Sequence, residues 1–439
     1  MAVMAGEIVF TVNSPGEVST WLAPTVAALR QLDTGVHVSV HILPCLYASG
    51  TEAEVIRGMP GVDSVVTPGE SWRYILRGRL PAGWKPRGRG AVVFLGGEML
   101  LAARLARRLG YPAAAYTQGH VVSSRDFARF FVPREDARRR AIAKGAPAER
   151  VEVVGDLMVD AARVVQDPGE RAALASPLGL EPGAPAVALF PGSRPYELRQ
   201  VLPLFAAAAA VLAKEARVQF IVALSPFVTR EALAAALHAA EAAAGSGAPA
   251  AAEGPGAVLE RAVAALFAPE TKAAAVPVTL RTAAGPASLT LWRGDPRAVM
   301  AAADLALTIP GSNTAELAAW GVPMVVCLPL HKPEEIPLDG IAGYLDRIPL
   351  IGRPLKRRAV LSASRRAQYI ALPNRAAGEA IVPELRSERL APEEIAAEAK
   401  RLLDDPERLE AAAARLVRAM GPPGAARRVA QGALELFQR

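Results

Sequence analysis

The chain has 439 residues, 51% of them hydrophobic, 21% charged and 5% aromatic, with a net charge of +7. That length provides for two or three domains with real cores, and the modest charge excludes a disordered chain. Two cysteines far apart in apolar settings, Cys45 and Cys327, exclude a disulfide-stapled secreted fold and read as buried thiols in a reducing compartment. Strand patterns then follow at Ile8–Val12, Val36–Leu43, Ala91–Leu95, Ala113–Tyr116, Phe130–Val132 and Val151–Val154. Helical patterns separate them at Thr20–Leu32, Glu52–Arg57, Met99–Leu109 and Arg134–Lys144. Strands alternating with helices predict βαβ units and a parallel sheet, and the unbroken run Ala91–Leu95 suits a strand buried on both faces.

Proline and glycine at Gln166–Glu170 and Leu180–Pro185 mark a linker over 166–185 between an N-terminal domain, 1–165, and a second domain, 186–420. The alternation restarts there with strand Ala186–Leu189, helix Glu197–Lys214, strand Val218–Leu224 and helix Thr229–Ala244. It resumes with Leu305–Thr308, Thr314–Trp320 and Met324–Leu328, and closes in helices near Pro392–Leu403, Pro406–Met420 and Ala425–Phe437. An alanine- and glycine-rich stretch near 240–290 reads as an insertion, flexible over Ala239–Gly256, and 421–439 as a terminal helix. The expected fold is α/β, two Rossmann-like lobes with a cleft between them and C-terminal helices. No apolar run reaches the ~18–20 residues that cross a bilayer. Met1–Glu7 lacks the basic flank of a secretory signal, so the expected location is the cytoplasm.

The sequence has no G-x-x-x-x-G-K-[ST] and no G-x-G-x-x-G after the first strand, which argues against a P-loop nucleotidase and a dinucleotide-dependent dehydrogenase. Without H-E-x-x-H or paired C-x-x-C, no metal site is expected. Thr308–Glu316 is the strongest local signal. There a strand ends, Gly311 allows a tight turn, and Ser312, Asn313 and Thr314 open a helix whose free N–H groups suit a phosphate. Glu316, one turn on, is placed to accept from ribose hydroxyls; the same residue types also make an ordinary helix cap. A second strand-to-helix turn, Leu189–Arg194, places Gly192, Ser193 and Arg194 where α/β sheets bind ligands. Arg194 suits a diphosphate, or else pairs with Glu197 one turn on. Residues 71–90 hold six Arg or Lys and no acid, among them Arg73, Arg77 and Arg79, interleaved with Trp72 and Trp84. That pattern suits an anionic membrane surface, or equally a solvated loop with two tryptophans in the core.

Together these segments resemble the lipid-A-disaccharide synthase family, inverting glycosyltransferases of the two-lobed GT-B architecture. The resemblance rests on Leu189–Arg194, on Pro310–Glu316 followed by Pro323–Val326, on Leu372–Gly378 with Asn374, running on through Val382–Leu385, and on Gly155–Asp160. The first lobe departs from the pattern. Thr20-Trp21 stands where the family has Gly-Asp, Gly96-Gly97-Glu98 replaces G-x-D, and Ala115–Gly119 replaces H-Y-V-S-P. The resemblance implies a UDP-sugar donor held by Gly192, Ser193, Arg194, Gly311, Ser312, Asn313, Thr314, Glu316 and Asn374. It implies a glycolipid acceptor, an acylated glucosamine-type sugar as the group transferred, and a homodimer at the inner face of the membrane. No cofactor, metal or nucleic acid is expected. Glu98, in the place of the family's aspartate, ranks first as general base, followed by Glu17 and His120. A UDP-sugar epimerase of the same build, or a donor-binding homologue without transfer, is the alternative.

Overall fold

The structure is a computed structural model that describes residues 6–44, 50–242, 255–268, 275–336 and 352–438. Cys45 and residues 243–254 and 269–274 of the expected insertion lie outside the described residues. Cys327 is a buried free thiol. The chain forms two compact units, 1–161 with 421–439, and 162–420.

The first unit is built on a seven-stranded parallel sheet: β1 (Glu7–Val12), β2 (His37–Ile42), β3 (Ser64–Val66), β4 (Gly90–Phe94), β5 (Ala113–Tyr116), β6 (Arg129–Val132) and β7 (Val151–Val153). Their spatial order is β3-β2-β1-β4-β5-β6-β7, with Val9 level with Ser39 on one side and Val92 on the other. Every residue of β1, β4 and β5 is buried, as expected for strands covered on both faces. The C-terminal helix Ala425–Gln438 belongs to this unit. It begins where Asp160 accepts hydrogen bonds from the N–H groups of Gly424 at 2.7 Å and Ala425 at 2.9 Å.

The second unit holds β8 (Ala186–Phe190), β9 (Gln219–Ala223), β10 (Ala275–Thr282), β11 (Gly285–Trp292), β12 (Leu305–Thr308), β13 (Met324–Pro329) and β14 (Glu384–Ser387). Their order is β10-β11-β9-β8-β12-β13-β14. The described part of the expected insertion contains helix Pro255–Leu266 and the β10–β11 hairpin, whose second strand joins β9 in parallel while β10 lies antiparallel at the edge. The stretch 166–185 carries a short helix, Pro168–Ala175, capped by Asp167.

Helix Pro195–Glu215 corrects one expectation. It is long and apolar enough, by length and composition, to cross a bilayer, because its alanines extend an apolar stretch between scattered charges. More than half of that stretch is buried inside the second unit, where Leu198, Leu202, Phe205 and Ala209 pack under the sheet.

Candidate functional site

In an open α/β sheet, ligands bind beyond the carboxyl ends of the strands where the strand order reverses. Both sheets have such a point, between β1 and β4 and between β8 and β12. Each first strand leads into a turn of the same kind. Glu17, three residues after Ser14, accepts from the N–H groups of Asn13 at 2.7 Å and Ser14 at 3.2 Å. Glu197 likewise accepts from Ser193 at 2.9 Å and Arg194 at 3.1 Å. These are capping carboxylates, satisfying helix N–H groups that the helix itself leaves open.

At the first switch point, β4 ends in Gly96-Gly97, and Gly97 donates its N–H to Glu17 at 3.3 Å. A Cβ on residue 96 would lie 2.0 Å from the Glu17 carboxyl, so only glycine fits there. Burial outweighs these hydrogen bonds and pushes the Glu17 carboxyl up to about 7. Glu98 follows as an exposed cap of helix Met99–Leu109, and His120 is an exposed loop residue. Glu17 and Glu98 are therefore brought to one strand edge.

Sequence reading missed the cluster beside it. The Tyr116 hydroxyl donates to Asp156 at 3.3 Å and accepts from the Leu157 N–H at 3.2 Å, while Arg134 pairs with Asp156 at 3.1 Å. Trp21 meets the Tyr116 ring edge-on, with centroids 5.4 Å apart, and its buried indole N–H has no hydrogen-bond partner among the described residues. Trp21 lies in a π-helical turn, Val18–Leu22, a distortion that often accompanies functional sites. Trp21 follows β1, Tyr116 ends β5, and Arg134 and Asp156 follow β6 and β7. Three of the four lie in segments that stand out in the sequence, but that they meet is decided by the order of the strands.

At the second switch point, the end of β8 meets the end of β12. Gly192 has φ of 106°, and a Cβ there would fall 2.5 Å from Glu197 and 2.9 Å from Ile309. The Arg194 guanidinium pairs with Glu197 at 2.9 Å, the pairing that the sequence left open, and Tyr196 also donates to Glu197 at 3.0 Å. Helix Ser312–Ala319 begins beside it, and the N–H groups of Ser312 and Asn313 make no hydrogen bond among the described residues. Glu316 has no hydrogen-bond partner there either, and burial pushes its carboxyl up to about 7.

Two expected donor contacts need correction. Thr314 is buried, its hydroxyl donates to the Gly311 carbonyl at 2.8 Å and accepts from the Leu372 N–H at 3.2 Å, so it ties two loops together. Asn374 is also fully buried. Its amide donates to Val382 and Glu384, both at 2.9 Å, and its oxygen accepts from Ile381 and Val382. All of its hydrogen-bonding capacity shapes the 372–384 loop, leaving none for a ligand.

A third correction concerns the basic stretch. Trp84 is buried, and its indole donates to Glu7 at 2.8 Å and Ser39 at 3.0 Å, so it anchors the loop from inside rather than touching a membrane. Trp72, Leu76 and Leu80 are the exposed apolar residues instead, the first two on helix Pro68–Arg77. Arg73, Arg77 and Arg79 are exposed around them.

No family model matches the chain. Curated relatives do. A lipid-A-disaccharide synthase of Anaeromyxobacter dehalogenans is 31% identical over 62% of this chain and 54% of its own length. One of Geobacter sulfurreducens is 28% identical over 65% of this chain and 57% of its own. The chain resembles the lipid-A-disaccharide synthases. It spans about half the length of these relatives. Two solved structures share the fold: UDP-GlcNAc 2-epimerase of Neisseria meningitidis bound to UDP-GlcNAc, with TM-score 0.51, 13% identity and 98% of this chain covered against 100% of that one; and the S. aureus MnaA–UDP co-structure, with TM-score 0.52, 12% identity, and 99% and 98% covered. The architecture is accordingly GT-B-like, with two Rossmann-like α/β units.

Proposed function

We propose that the chain is a hexosyltransferase that moves an acylated glucosamine-type sugar from a UDP donor to a glycolipid acceptor with inversion. One observation carries this reading. The second sheet's switch point gathers, within one strand edge, an arginine together with two helix N–H groups and a carboxylate that have no hydrogen-bond partner among the described residues. A nucleoside diphosphate-sugar needs that set: N–H groups and a guanidinium for the diphosphate, and an acceptor for ribose hydroxyls. The curated relatives' name supports the same class.

In this mechanism the Ser312 and Asn313 N–H groups and Arg194 stabilise the departing diphosphate. The helix terminus contributes roughly 0.3–2 kcal/mol and each charge-assisted hydrogen bond about 1.5–3 kcal/mol. Arg194 exchanges Glu197 for the donor on binding. In the first unit, Glu17 takes the proton from the acceptor hydroxyl. A carboxylate with a proton affinity near neutrality is suited to that task, and its Gly96 neighbour leaves no side chain between it and the strand edge. Glu98 is the exposed second carboxylate of that edge. The exposed Trp72, Leu76 and Leu80 with Arg73, Arg77 and Arg79 form the contact to an anionic lipid surface, which brings the enzyme to its acceptor.

Trp21, standing where the family has aspartate, and the closed Tyr116–Asp156–Arg134 cluster favour a second reading, a donor-binding homologue with a different or absent acceptor. Mass spectrometry of products from UDP-sugars and extracted lipids decides between them. A sugar-extended lipid supports the transferase. Turnover of donor without lipid points to an epimerase, and donor binding with no turnover supports the second reading.

A further inference from the structure

The positive charge of this chain is concentrated in two places. Residues 71–90 hold six Arg or Lys and no acid, and residues 352–375 hold seven and no acid. The remaining residues carry 37 cations against 43 acids, so the whole surplus resides in these two stretches. The first is the surface described above. The second lies in the other unit, mainly on helix Gly352–Arg366.

That helix has two distinct sides. Gly352, Lys356 and Val360, four residues apart, face inward and are buried, and Lys356 is engaged in an interaction of its own. Arg353, Leu355, Arg358, Arg365 and Arg366 are exposed. Leu355 leaves 46% of its surface in solvent. Positions 355, 358, 362 and 365 follow one another at spacings of three and four, so the leucine and two of the arginines share a side. Arg357 pairs with Glu388, but Arg353, Arg358, Arg365 and Arg366 make no ion pair among the described residues. The first turn has no acid to complement the helix dipole, and no Glu at i−4 supports the cations. Like charges held this way repel one another, and an anionic surface relieves that repulsion.

We propose that helix Gly352–Arg366 is a second docking element for an anionic phospholipid surface, with Arg358, Arg365 and Arg366 among the headgroups and Leu355 at the acyl boundary. This deepens the membrane part of the function proposed above. An exposed leucine among arginines fits a lipid boundary, whereas single-stranded nucleic acid is held by stacking on aromatic rings, which this helix lacks.

Vesicle sedimentation of the full chain tests it. Equimolar phosphatidylglycerol and phosphatidylcholine vesicles are compared with pure phosphatidylcholine. The double variant R358E/R365E is expected to lose about tenfold or more of its partitioning onto the mixed vesicles, with no change on the neutral ones. The charge-conserving R358K/R365K is expected to keep it. UDP binding by calorimetry and the thermal midpoint should match the unaltered chain in both variants, which shows that they fold. R358E/R365E partitioning like the unaltered chain overturns the proposal, as does equal loss in R358K/R365K. Tighter binding to polyuridylate than to the mixed vesicles overturns it in favour of nucleic acid. The readout needs no turnover, so a chain that makes no glycolipid yet loses vesicle binding on charge reversal leaves this proposal standing while the catalytic one falls.

Discussion

Burial pushes the Glu17 and Glu316 carboxyls up to about 7. Each binds a proton more readily in the folded chain than in the unfolded one. Their contribution to stability is therefore full below about pH 4.5 to 5 and declines as pH rises towards 7. Glu17→Gln should flatten the loss of stability between pH 5 and 8, by on the order of 1–3 kcal/mol, as read from urea midpoints across that range. The same variant should abolish the acid limb of the pH–rate profile near 7 and reduce turnover by about 10²–10⁴-fold. An unchanged profile moves the base to Glu98. Arg194→Ala should lower kcat/KM for the UDP-sugar by roughly 10²–10³-fold while the circular dichroism spectrum stays that of the unaltered chain. If activity survives, the Glu197 pairing is the whole purpose of that arginine.

At the level of elements, strands buried on both faces were the most legible, since uninterrupted apolar runs have few other fates in a soluble core. Helix Pro68–Arg77 was not legible, and most of it fell in the stretch 71–90 that suited a solvated loop as well as a membrane surface. It forms since proline is welcome at the first helical position, and Thr67 with Glu70 makes a capping box in front of it. Asp160 belongs to a motif whose role could not be read locally. Its partners are residues 424–426, and together they start the last helix against the first unit. Asp160→Ala should destabilise the chain by about 1–2 kcal/mol in denaturant titration and speed hydrogen exchange across Ala425–Gln438. A variant with unaltered exchange there would leave the helix held by its apolar face alone. The β10–β11 hairpin teaches the same lesson, because what read as an insertion supplies two strands to the edge of the second sheet.

For the molecule as a whole, the division of labour between units can be measured. Added UDP should slow hydrogen exchange at residues 190–197 and 309–316 and raise the thermal midpoint; ligand at 100 times its dissociation constant stabilises by about 2.7 kcal/mol. Protection confined to the first unit would place the nucleotide at the wrong sheet. The order of apolar runs, the two glycine turns and the charge of the basic stretches were determined by the sequence alone, because periodicity and composition are local properties. Which turns stand side by side was decided only when β4 settled against β1 and β12 against β8. The same holds for Trp84, which suits a membrane or a core equally well until Glu7 and Ser39 are found at its indole, and for Asn374, whose amide is consumed by its own loop. A side chain's chemistry is written in its residue type, but whether that chemistry is available depends on partners that arrive from distant parts of the chain.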